Sequence, residues 1–214
     1  MARTDPAGTP FPAADAHAYG RDAGRYDART ARYGGYRRRV VDLLPVSAGD
    51  VVADLGCGTG LCFEQLVDRV GPEGTVVGVE PAAQMRALAA RRIAAGGWTN
   101  VQLVASDVEC ADLAMVGHAL FCAVHDVLQS PAALDHVLAH VRDGGGVAAT
   151  GGKWAPAWAV AVNAGVLALH APFVRDFSGF DRPWALLAER VPGLTVQQVA
   201  FGAGYVAHGR VHRA

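Results

Sequence analysis

The sequence predicts an α/β fold: a doubly wound, mostly parallel sheet of seven strands, with helices on both faces and a C-terminal antiparallel hairpin. From residue 50 onward, short apolar segments alternate with segments of helical spacing, which is typical of parallel strands joined by crossover helices. The last two apolar segments are joined by a glycine turn, which indicates a hairpin. A chain of 214 residues is long enough to bury a full core as one domain.

The elements follow in order from this pattern. Residues 15–44 have helical character, and residues 45–50 form a turn into the first strand. Five strands are predicted at 51–55, 75–80, 101–106, 119–125 and 145–151. Helices are predicted at 60–70, 82–95 and 131–142, the last ending at Arg142 because Asp143 and three glycines follow it. The hairpin strands are predicted at 194–201 and 205–211, around Gly202-Ala203-Gly204.

Residues 154–174 contain no charged side chain, and on length alone they could cross a membrane. Pro156 and Pro172 limit the helix to about 157–171, roughly 22 Å long at about 1.5 Å per residue. This is short of a hydrocarbon core of about 30 Å, so we predict a buried helix of the domain. Together with residues 15–44, the insertion 154–191 is predicted to form helical lid elements within a single domain, 15–214.

Composition excludes several classes of protein. Lys and Arg number 19 and Asp and Glu number 20, so no field of one sign would attract nucleic acid or an acidic membrane. The run Arg37-Arg38-Arg39 is therefore predicted to be a solvated helix face. The cysteines show no zinc-site spacing, which favours a reduced, cytoplasmic protein without a metal. Residues 1–14 lack an apolar signal core, and a flexible tail is expected there.

The most informative segment is Val51–Gly60. An apolar run ends in Asp54, and glycines follow at positions 56, 58 and 60, before a helical segment. Glycine allows a sharp turn and close approach of a ligand, and the free N–H groups of the next helix favour a polar or anionic ligand end. A dinucleotide fingerprint would need glycine where Leu61 stands, and no Gly-Lys-Ser/Thr follows for a P-loop. The segment predicts a nucleotide pocket of another kind.

Two further strands end in acids. The second is followed by Glu80, whose carboxylate can accept two hydrogen bonds from a ribose diol, and then by Pro81 and a helix that carries Met85. The third ends in Ser106-Asp107. Because open α/β sheets bind ligands at the carboxyl ends of their strands, we expect these acids and Asp54 to converge at one edge.

In this order and spacing, the motifs resemble those of class I S-adenosylmethionine (SAM)-dependent methyltransferases, most of all the small-molecule group that includes quinone-biosynthesis enzymes. The resemblance covers about residues 50–150 and implies a Rossmann-like fold, SAM as cofactor and S-adenosylhomocysteine (SAH) as product. It implies that Glu80 holds the ribose, and that Asp107 and Val108 meet the adenine. The residues expected to face the methionine and ribose parts are Asp54, Gly56, Cys57, Gly58 and Gly60. The chain departs from the family where Ala82-Ala83 replace a serine and Asp143 replaces a proline.

His125 directly follows the fourth strand, whose end faces the activated methyl group in related methyltransferases. An unperturbed histidine pKa of about 6.5 suits a general base. Alternatively, His125 packs on the adenosyl group or bonds to the backbone. Asp126 is not expected to orient His125, because adjacent strand residues point to opposite faces. His136 and His140 are one helical turn apart, but they lack a third ligand, so a surface helix face is expected.

The insertion 154–191 contains the residues that indicate the kind of substrate. Aromatic side chains crowd the insertion at Trp154, Trp158, Phe173, Phe177, Phe180 and Trp184. They predict either a small, mainly apolar or aromatic acceptor held under a lid, or ordinary packing of the lid on the sheet. The favoured function is methyl transfer to an O, N or C atom of such a molecule. A SAM-binding protein without transfer remains the alternative, and a nicotinamide oxidoreductase is disfavoured by Leu61. No nucleic-acid partner and no stable membrane insertion are expected, and a homodimer is left open.

Overall fold

The computed structural model describes residues 26–174 and 176–213. The tail expected at 1–14 and residues 15–25 of the first expected lid element lie outside this part. A seven-stranded sheet forms the centre, in the order β3-β2-β1-β4-β5-β7-β6. Its strands are β1 Val51–Leu55, β2 Thr75–Val79, β3 Val101–Val104, β4 Val116–Cys122, β5 Val141–Gly152, β6 Thr195–Val199 and β7 Gly204–Arg210. The first five are parallel, and β7 runs antiparallel between β5 and β6. The predicted fold class is confirmed.

Helices connect the strands and cover both faces of the sheet. They are α1 Gly34–Asp42, α2 Phe63–Val70, α3 Ala83–Gly96, α4 His125–Leu128, α5 Pro131–His140, α6 Val160–His170 and α7 Ala185–Arg190. Residues 26–30 are also helical. Single 3-10 turns occur at Ala31–Tyr33, Val108–Cys110 and Ala200–Gly202.

The strands bury alternate residues on opposite faces. In β4, Leu120 joins the core cluster that includes residues of α1 and α2. Its neighbour Phe121 joins the other cluster, with residues of α5 and α7. This period of two is what a strand buried on both faces requires, and it makes the sheet doubly wound.

The crevice between β1 and β4 lies where the strand order reverses. The chain moves outward from β1 through β2 to β3, and β4 then pairs with β1 on the other side. In open α/β sheets, ligands bind at such a switch point, outside the carboxyl ends of the strands. The fold therefore indicates a ligand site at the loops after β1 and β4.

Several predicted boundaries are wrong by a few residues. The fourth strand ends at Cys122, because Ala123 has a φ of 60° and turns the chain, so His125 begins α4. Helix α5 ends at His140 and not at Arg142, because β5 already begins at Val141, which pairs with Val116 before the register shifts. Strands β2 and β3 end at 79 and 104. Helix α2 begins only at Phe63, since the glycine turn extends over residues 56–62.

The prediction of a buried helix in 157–171 is also wrong. In α6 only Val166 is buried, whereas Val160 is 72% and Leu167 is 48% exposed. The reason is that α6 lies over a cavity, which its C-terminal residues line, and does not pack into the core. Within 26–174 and 176–213, no helix is long and apolar enough to span a membrane.

A buried histidine joins β1, β4 and β5 near their amino ends. His118 is 1% exposed. Its Nδ1 accepts a hydrogen bond from the Gly146 amide at 3.0 Å, so its Nε2 carries the proton that it donates to Asp50 Oδ2 at 3.0 Å. Arg142 pairs with the other oxygen of Asp50 at 3.0 Å. Burial lowers the pKa of His118 and keeps the ring neutral.

We expect His118→Ala to lower the free energy of unfolding by about 2–4 kcal/mol, because it leaves the buried Gly146 amide without an acceptor and removes one of the donors to Asp50. The affinity for SAH should not change, since these groups lie away from the carboxyl ends of the strands. Urea unfolding and calorimetry would measure the two quantities, with the exposed His212→Ala as control. An equal loss of SAH affinity would show that the network reaches the ligand site.

Candidate cofactor and acceptor site

The glycine loop, Gly56–Gly60, follows β1 and has three glycines with positive φ, between 57° and 78°. A Cβ at Gly56 would lie 2.6 Å from Val124 Cγ1, and one at Gly60 would lie 2.6 Å from the Phe63 ring. These two glycines are needed for close packing at a backbone conformation that favours glycine. Among the described residues, no atom apart from those of its chain neighbours lies within 4 Å of an ideal Cβ at Gly58. The space there is a cradle that a ligand can occupy.

Asp54 lies beneath this loop at the end of β1. It is 1% exposed, and its Oδ2 atom has no hydrogen-bond partner in the described part of the chain. Burial, and secondly the charge of Glu80, raise the pKa of Asp54 to about 7. A buried carboxylate oxygen without a donor is costly, so a ligand that brings a donor or a positive charge would be favoured here.

Glu80 faces the loop from the end of β2. Its Oε2 accepts a hydrogen bond from the Gly58 amide at 3.0 Å, and its Oε1 accepts one from the Ala82 amide at 2.8 Å. Burial nevertheless raises the pKa of Glu80 above its ordinary value. The two amides fix the carboxylate beside the cradle at Gly58.

The remaining residues expected to bind the cofactor lie at the same edge of the sheet. Met85 is buried and packs in a small cluster with Ala82 and Tyr26, while Pro81 is exposed. Beyond β3, Asp107 is exposed and Val108 is buried. The structure thus brings the predicted binding residues together at the carboxyl ends of β1, β2 and β3, as parallel pairing requires.

A further contact, which the sequence did not reveal, holds the glycine loop. Thr59 Oγ1 donates a hydrogen bond to Asp27 Oδ1 at 2.6 Å, and Arg92 Nε donates one to the Thr59 carbonyl oxygen at 2.9 Å. Arg92 also forms an ion pair with Asp27. The helical segment before α1 is therefore tied to the loop through Asp27. No local motif signals this, because the three residues are far apart in the chain.

A cavity of about 1270 Å³ opens beside the ends of β4 and β5. Its walls come from the segment 26–37, from β4 and α4, from the end of β5, from the end of α6 and from the chain that follows α6. The aromatic and histidine side chains that line it are Tyr26, Tyr33, Tyr36, Phe173, Phe180, Tyr205, His125 and His170. We call it the large cavity.

The aromatic residues of the insertion divide between the two predicted roles. Phe173 and Phe180 line the large cavity. Trp154 and Phe177 contact the Phe180 ring from outside, at centroid distances of 5.5 and 5.0 Å. Trp184 packs in the core against Tyr205, whereas Trp158 is 84% exposed. The insertion thus contributes both cavity wall and ordinary packing.

His125 lies in the cavity wall at the start of α4. Its Nε2 is 3.1 Å from the Ser178 carbonyl oxygen, and because a carbonyl only accepts, Nε2 carries the proton and Nδ1 the lone pair. Nδ1 is buried and has no partner among the described residues. Burial lowers the pKa of His125, so the ring is neutral and keeps a free basic nitrogen.

His170 is a second neutral imidazole in the wall, which no motif of the sequence indicates. Its Nδ1 donates to the Val166 carbonyl oxygen at 2.9 Å, and burial lowers the pKa of the ring. Its Nε2 lies so close to Gly152 that a Cβ at this position would be only 2.1 Å away, so the ring needs a glycine there. The rings of His125 and His170 both contact Phe180 edge-on, at 4.9 and 5.3 Å.

SAM fits the residues at the loop edge. The cradle at Gly58, the unpartnered Asp54 oxygen and the fixed Glu80 carboxylate offer room, a negative group for its cationic tail and an acceptor for its ribose. Comparisons with known proteins agree. Residues 52–145, somewhat less than half of the chain, match the family described as methyltransferase domain.

Curated relatives share short segments with the chain. An aklanonic acid methyltransferase from Streptomyces sp. (strain C5) is 35% identical over 72 residues, which are 34% of this chain and 33% of the relative. Nocamycin O-methyltransferase from Saccharothrix syringae is 40% identical over 90 residues, 40% of this chain and 31% of the relative. The chain thus spans about a third of the length of these relatives.

Solved structures match nearly the whole chain. A putative SAM-dependent methyltransferase from Methanococcus maripaludis has a TM-score of 0.67 at 14% identity and covers 95% of this chain and 96% of its own. A SAM-dependent methyltransferase from Aquifex aeolicus has a TM-score of 0.62 at 16% identity, with coverages of 90% and 98%. At these identities the likeness shows the fold.

The fold of the described residues is that of the Rossmann-like methyltransferases. Within it, residues 52–145 are similar in sequence to methyltransferase domains.

Proposed function

We propose that the protein transfers the methyl group of SAM to an O, N or C atom of a small, mainly apolar or aromatic molecule bound in the large cavity. The observation that carries this proposal is the position of the cavity, which borders the ends of β4 and β5 beside the glycine loop. Its aromatic walls suit a flat, apolar acceptor. The names of the two relatives, which specify small molecules, support the same class of acceptor.

Within this proposal, the cofactor residues have separate tasks. Asp54, Gly56, Cys57, Gly58 and Gly60 surround the methionine and ribose parts, Glu80 accepts from the ribose hydroxyls with Pro81 and Met85 beside it, and Asp107 and Val108 meet the adenine. When bound, SAM supplies a methyl group on a sulfonium, a good leaving group. Alignment of the acceptor with that group can contribute several kcal/mol without any base.

His125 is the proposed general base. The lone pair on its Nδ1 would accept the proton of the acceptor, and the Nε2–H bond to Ser178 holds the ring in the required tautomer. The charges of Asp126 and Asp176 favour the imidazolium that forms. A hydrogen-bond donor on the methyl-accepting molecule would also pair with the Nδ1 atom, which is otherwise buried without a partner among the described residues.

Labelled SAM incubated with the protein and a metabolite extract tests this function. We expect a labelled small-molecule product. Calorimetric binding of SAH without any labelled product would favour the alternative, a SAM-binding protein that does not transfer methyl groups. Tight NAD binding without SAH binding would overturn both. A cytoplasmic location and the lack of a nucleic-acid partner stay predictions from charge and cysteine content.

Glu80→Ala should weaken the binding of SAM by about 1–3 kcal/mol, the usual cost of a lost hydrogen bond to a charged group. Calorimetry with SAM and SAH would measure it. Glu73→Ala, at an exposed position between α2 and β2, is the matched control and should bind as the parent does. Unchanged affinity in Glu80→Ala would remove this residue from the ribose site.

A further inference from the structure

Two histidines of the large cavity lie at the ends of neighbouring strands. His125 begins α4, shortly after β4 ends at Cys122, and His170 lies against Gly152, the last residue of β5. Strands β4 and β5 pair side by side as far as Cys122 and Thr150. Because both rings line the large cavity, they lie near each other in its wall.

Each of the two rings carries a lone pair on one nitrogen. Burial lowers the pKa of both rings and keeps them neutral, and a neutral imidazole has a single N–H group. His125 Nε2 donates that N–H to the Ser178 carbonyl oxygen, and His170 Nδ1 donates to the Val166 carbonyl oxygen. The lone pairs are therefore on His125 Nδ1 and His170 Nε2. Of these two atoms only His125 Nδ1 is fully buried without a partner in the described part of the chain, so His170 Nε2 is accessible from the cavity.

Phe180 fixes the positions of both imidazoles. Its side chain is 1% exposed, it contacts both rings edge-on, and Trp154 and Phe177 pack against it. A positive charge on His170 would lower the pKa of His125, so the two rings are close enough to interact electrostatically. One bound molecule can therefore contact both.

Charged side chains of the cavity wall have other partners. The run Arg37-Arg38-Arg39 was predicted to be a solvated helix face, but Arg37 is half-buried and lines the cavity, because the start of α1 lies against it. Its Nη2 donates to the Thr30 carbonyl oxygen at 2.9 Å. On another part of the wall, Glu109 accepts a hydrogen bond from Ser130 Oγ at 3.3 Å. Neither contact reaches an imidazole nitrogen, so a molecule that displaces water from the cavity must itself supply the donors.

We propose that the methyl acceptor is an aromatic molecule with two hydrogen-bond donors, one facing His125 Nδ1 and the other, a hydroxyl or amine group, bound by His170 Nε2. The first donor carries the proton that the general base removes. The second stays unchanged and orients the molecule, so His170 is a substrate-binding residue that selects diols and aminophenols over aromatic molecules with one hydroxyl. An acceptor without the second donor would leave a lone pair in the cavity without a partner, which is unfavourable. This inference rests on the proposed function and names its class of acceptor.

A set of naphthalenes tests the inference by binding alone. 2-Naphthol offers one donor, whereas 2,3-, 2,6- and 2,7-dihydroxynaphthalene offer two donors at increasing separations. Fluorescence titration of the protein with SAH present would measure their affinities. We expect at least one diol to bind about 10- to 100-fold more tightly than 2-naphthol, as one further hydrogen bond to an atom that otherwise lacks a partner implies.

Replacing His170 separates this hydrogen bond from packing. His170→Phe keeps an aromatic ring without the nitrogen, so the preferred diol should bind no more tightly than 2-naphthol, whose own affinity should stay within about twofold. His140→Phe is the matched control, because His140 Nδ1 bonds to the carbonyl oxygen four residues earlier in the same way, at the end of α5 and outside the cavity wall. It should keep the parent's preference.

His170→Gln is a second variant, whose amide oxygen can accept a hydrogen bond. It should retain part of the preference for the diol, and it replaces the phenylalanine variant if that protein fails a thermal-unfolding check.

Three results would overturn the inference. The first is a parent protein that binds no diol more tightly than 2-naphthol. The second is a preference that survives in His170→Phe. The third is an equal loss for the diol and 2-naphthol in this variant, which would make His170 a packing residue.

The transfer assay with labelled SAM is read separately from these titrations. A preference for diols that depends on His170, without any labelled product, would contradict methyl transfer and support the role of His170 in binding. A labelled product together with no preference for diols would contradict only the role of His170.

Discussion

Replacing His125 by alanine should reduce methyl transfer about 10²- to 10⁴-fold, the usual contribution of a positioned general base. SAH affinity should stay close to that of the parent, because His125 lies in the wall of the large cavity and outside the glycine loop. Single-turnover transfer from labelled SAM would measure the first quantity and calorimetry the second. Equal losses in both would make His125 a packing residue.

The pH profile gives a second readout for the same residue. Burial lowers the pKa of His125 below the ordinary value of 6.5, so the ring stays neutral and basic through neutral pH. We expect transfer to fall only at a pH below that at which an ordinary histidine is half protonated, because protonation then removes the lone pair of the base. His136→Ala, whose ring bonds to the Ala111 carbonyl oxygen outside the cavity wall, is the control and should keep the parent profile.

Asp54→Asn should remove a large pH dependence of stability. The pKa of Asp54 is about 7 in the folded protein, against about 3.9 for an unfolded chain. Between these values the folded state holds a proton that the unfolded state has lost, so stability falls as pH rises from about 4 to about 7. The parent should lose roughly 2–4 kcal/mol more than Asp54→Asn over this range.

The affinity for SAM should depend on pH in the opposite direction to stability. Its sulfonium and ammonium favour the ionised form of Asp54, so affinity for SAM should rise as pH passes through 7, and this rise should be absent in Asp54→Asn. Urea unfolding and calorimetry at several pH values would measure both effects. Asp68→Asn, on the exposed side of α2, is the control. A parent-like pH dependence in Asp54→Asn would place the titrating group elsewhere.

The loop edge could be predicted because each of its parts is local. Three glycines fix the turn after β1, and Asp54, Glu80 and Asp107 each end or follow an apolar strand, so parallel pairing alone brings them together. The parallel arrangement of the first five strands followed from the alternation of segments, together with the rule that crossover connections join parallel strands. No knowledge of tertiary packing was needed for either inference.

The cavity wall could not be predicted, because long-range packing sets it. Ala123 adopts a positive φ that its residue type does not indicate, and this turn moves His125 from a strand to a helix. Arg37 looks like its exposed neighbours until the cavity beside α1 is known. Helix α6 has the composition of a buried segment, yet it covers a space that the sheet and the chain after α6 enclose.

The bridge from Asp27 to Thr59 and Arg92 has a mechanical consequence. Residues just beyond Asp27, from Thr30 to Arg37, form part of the wall of the large cavity, whereas Thr59 belongs to the glycine loop, the proposed nucleoside site. Outward displacement of that helical segment would have to break the bridge and release the turn. We therefore expect the wall of the large cavity and the glycine loop to be coupled mechanically through this bridge.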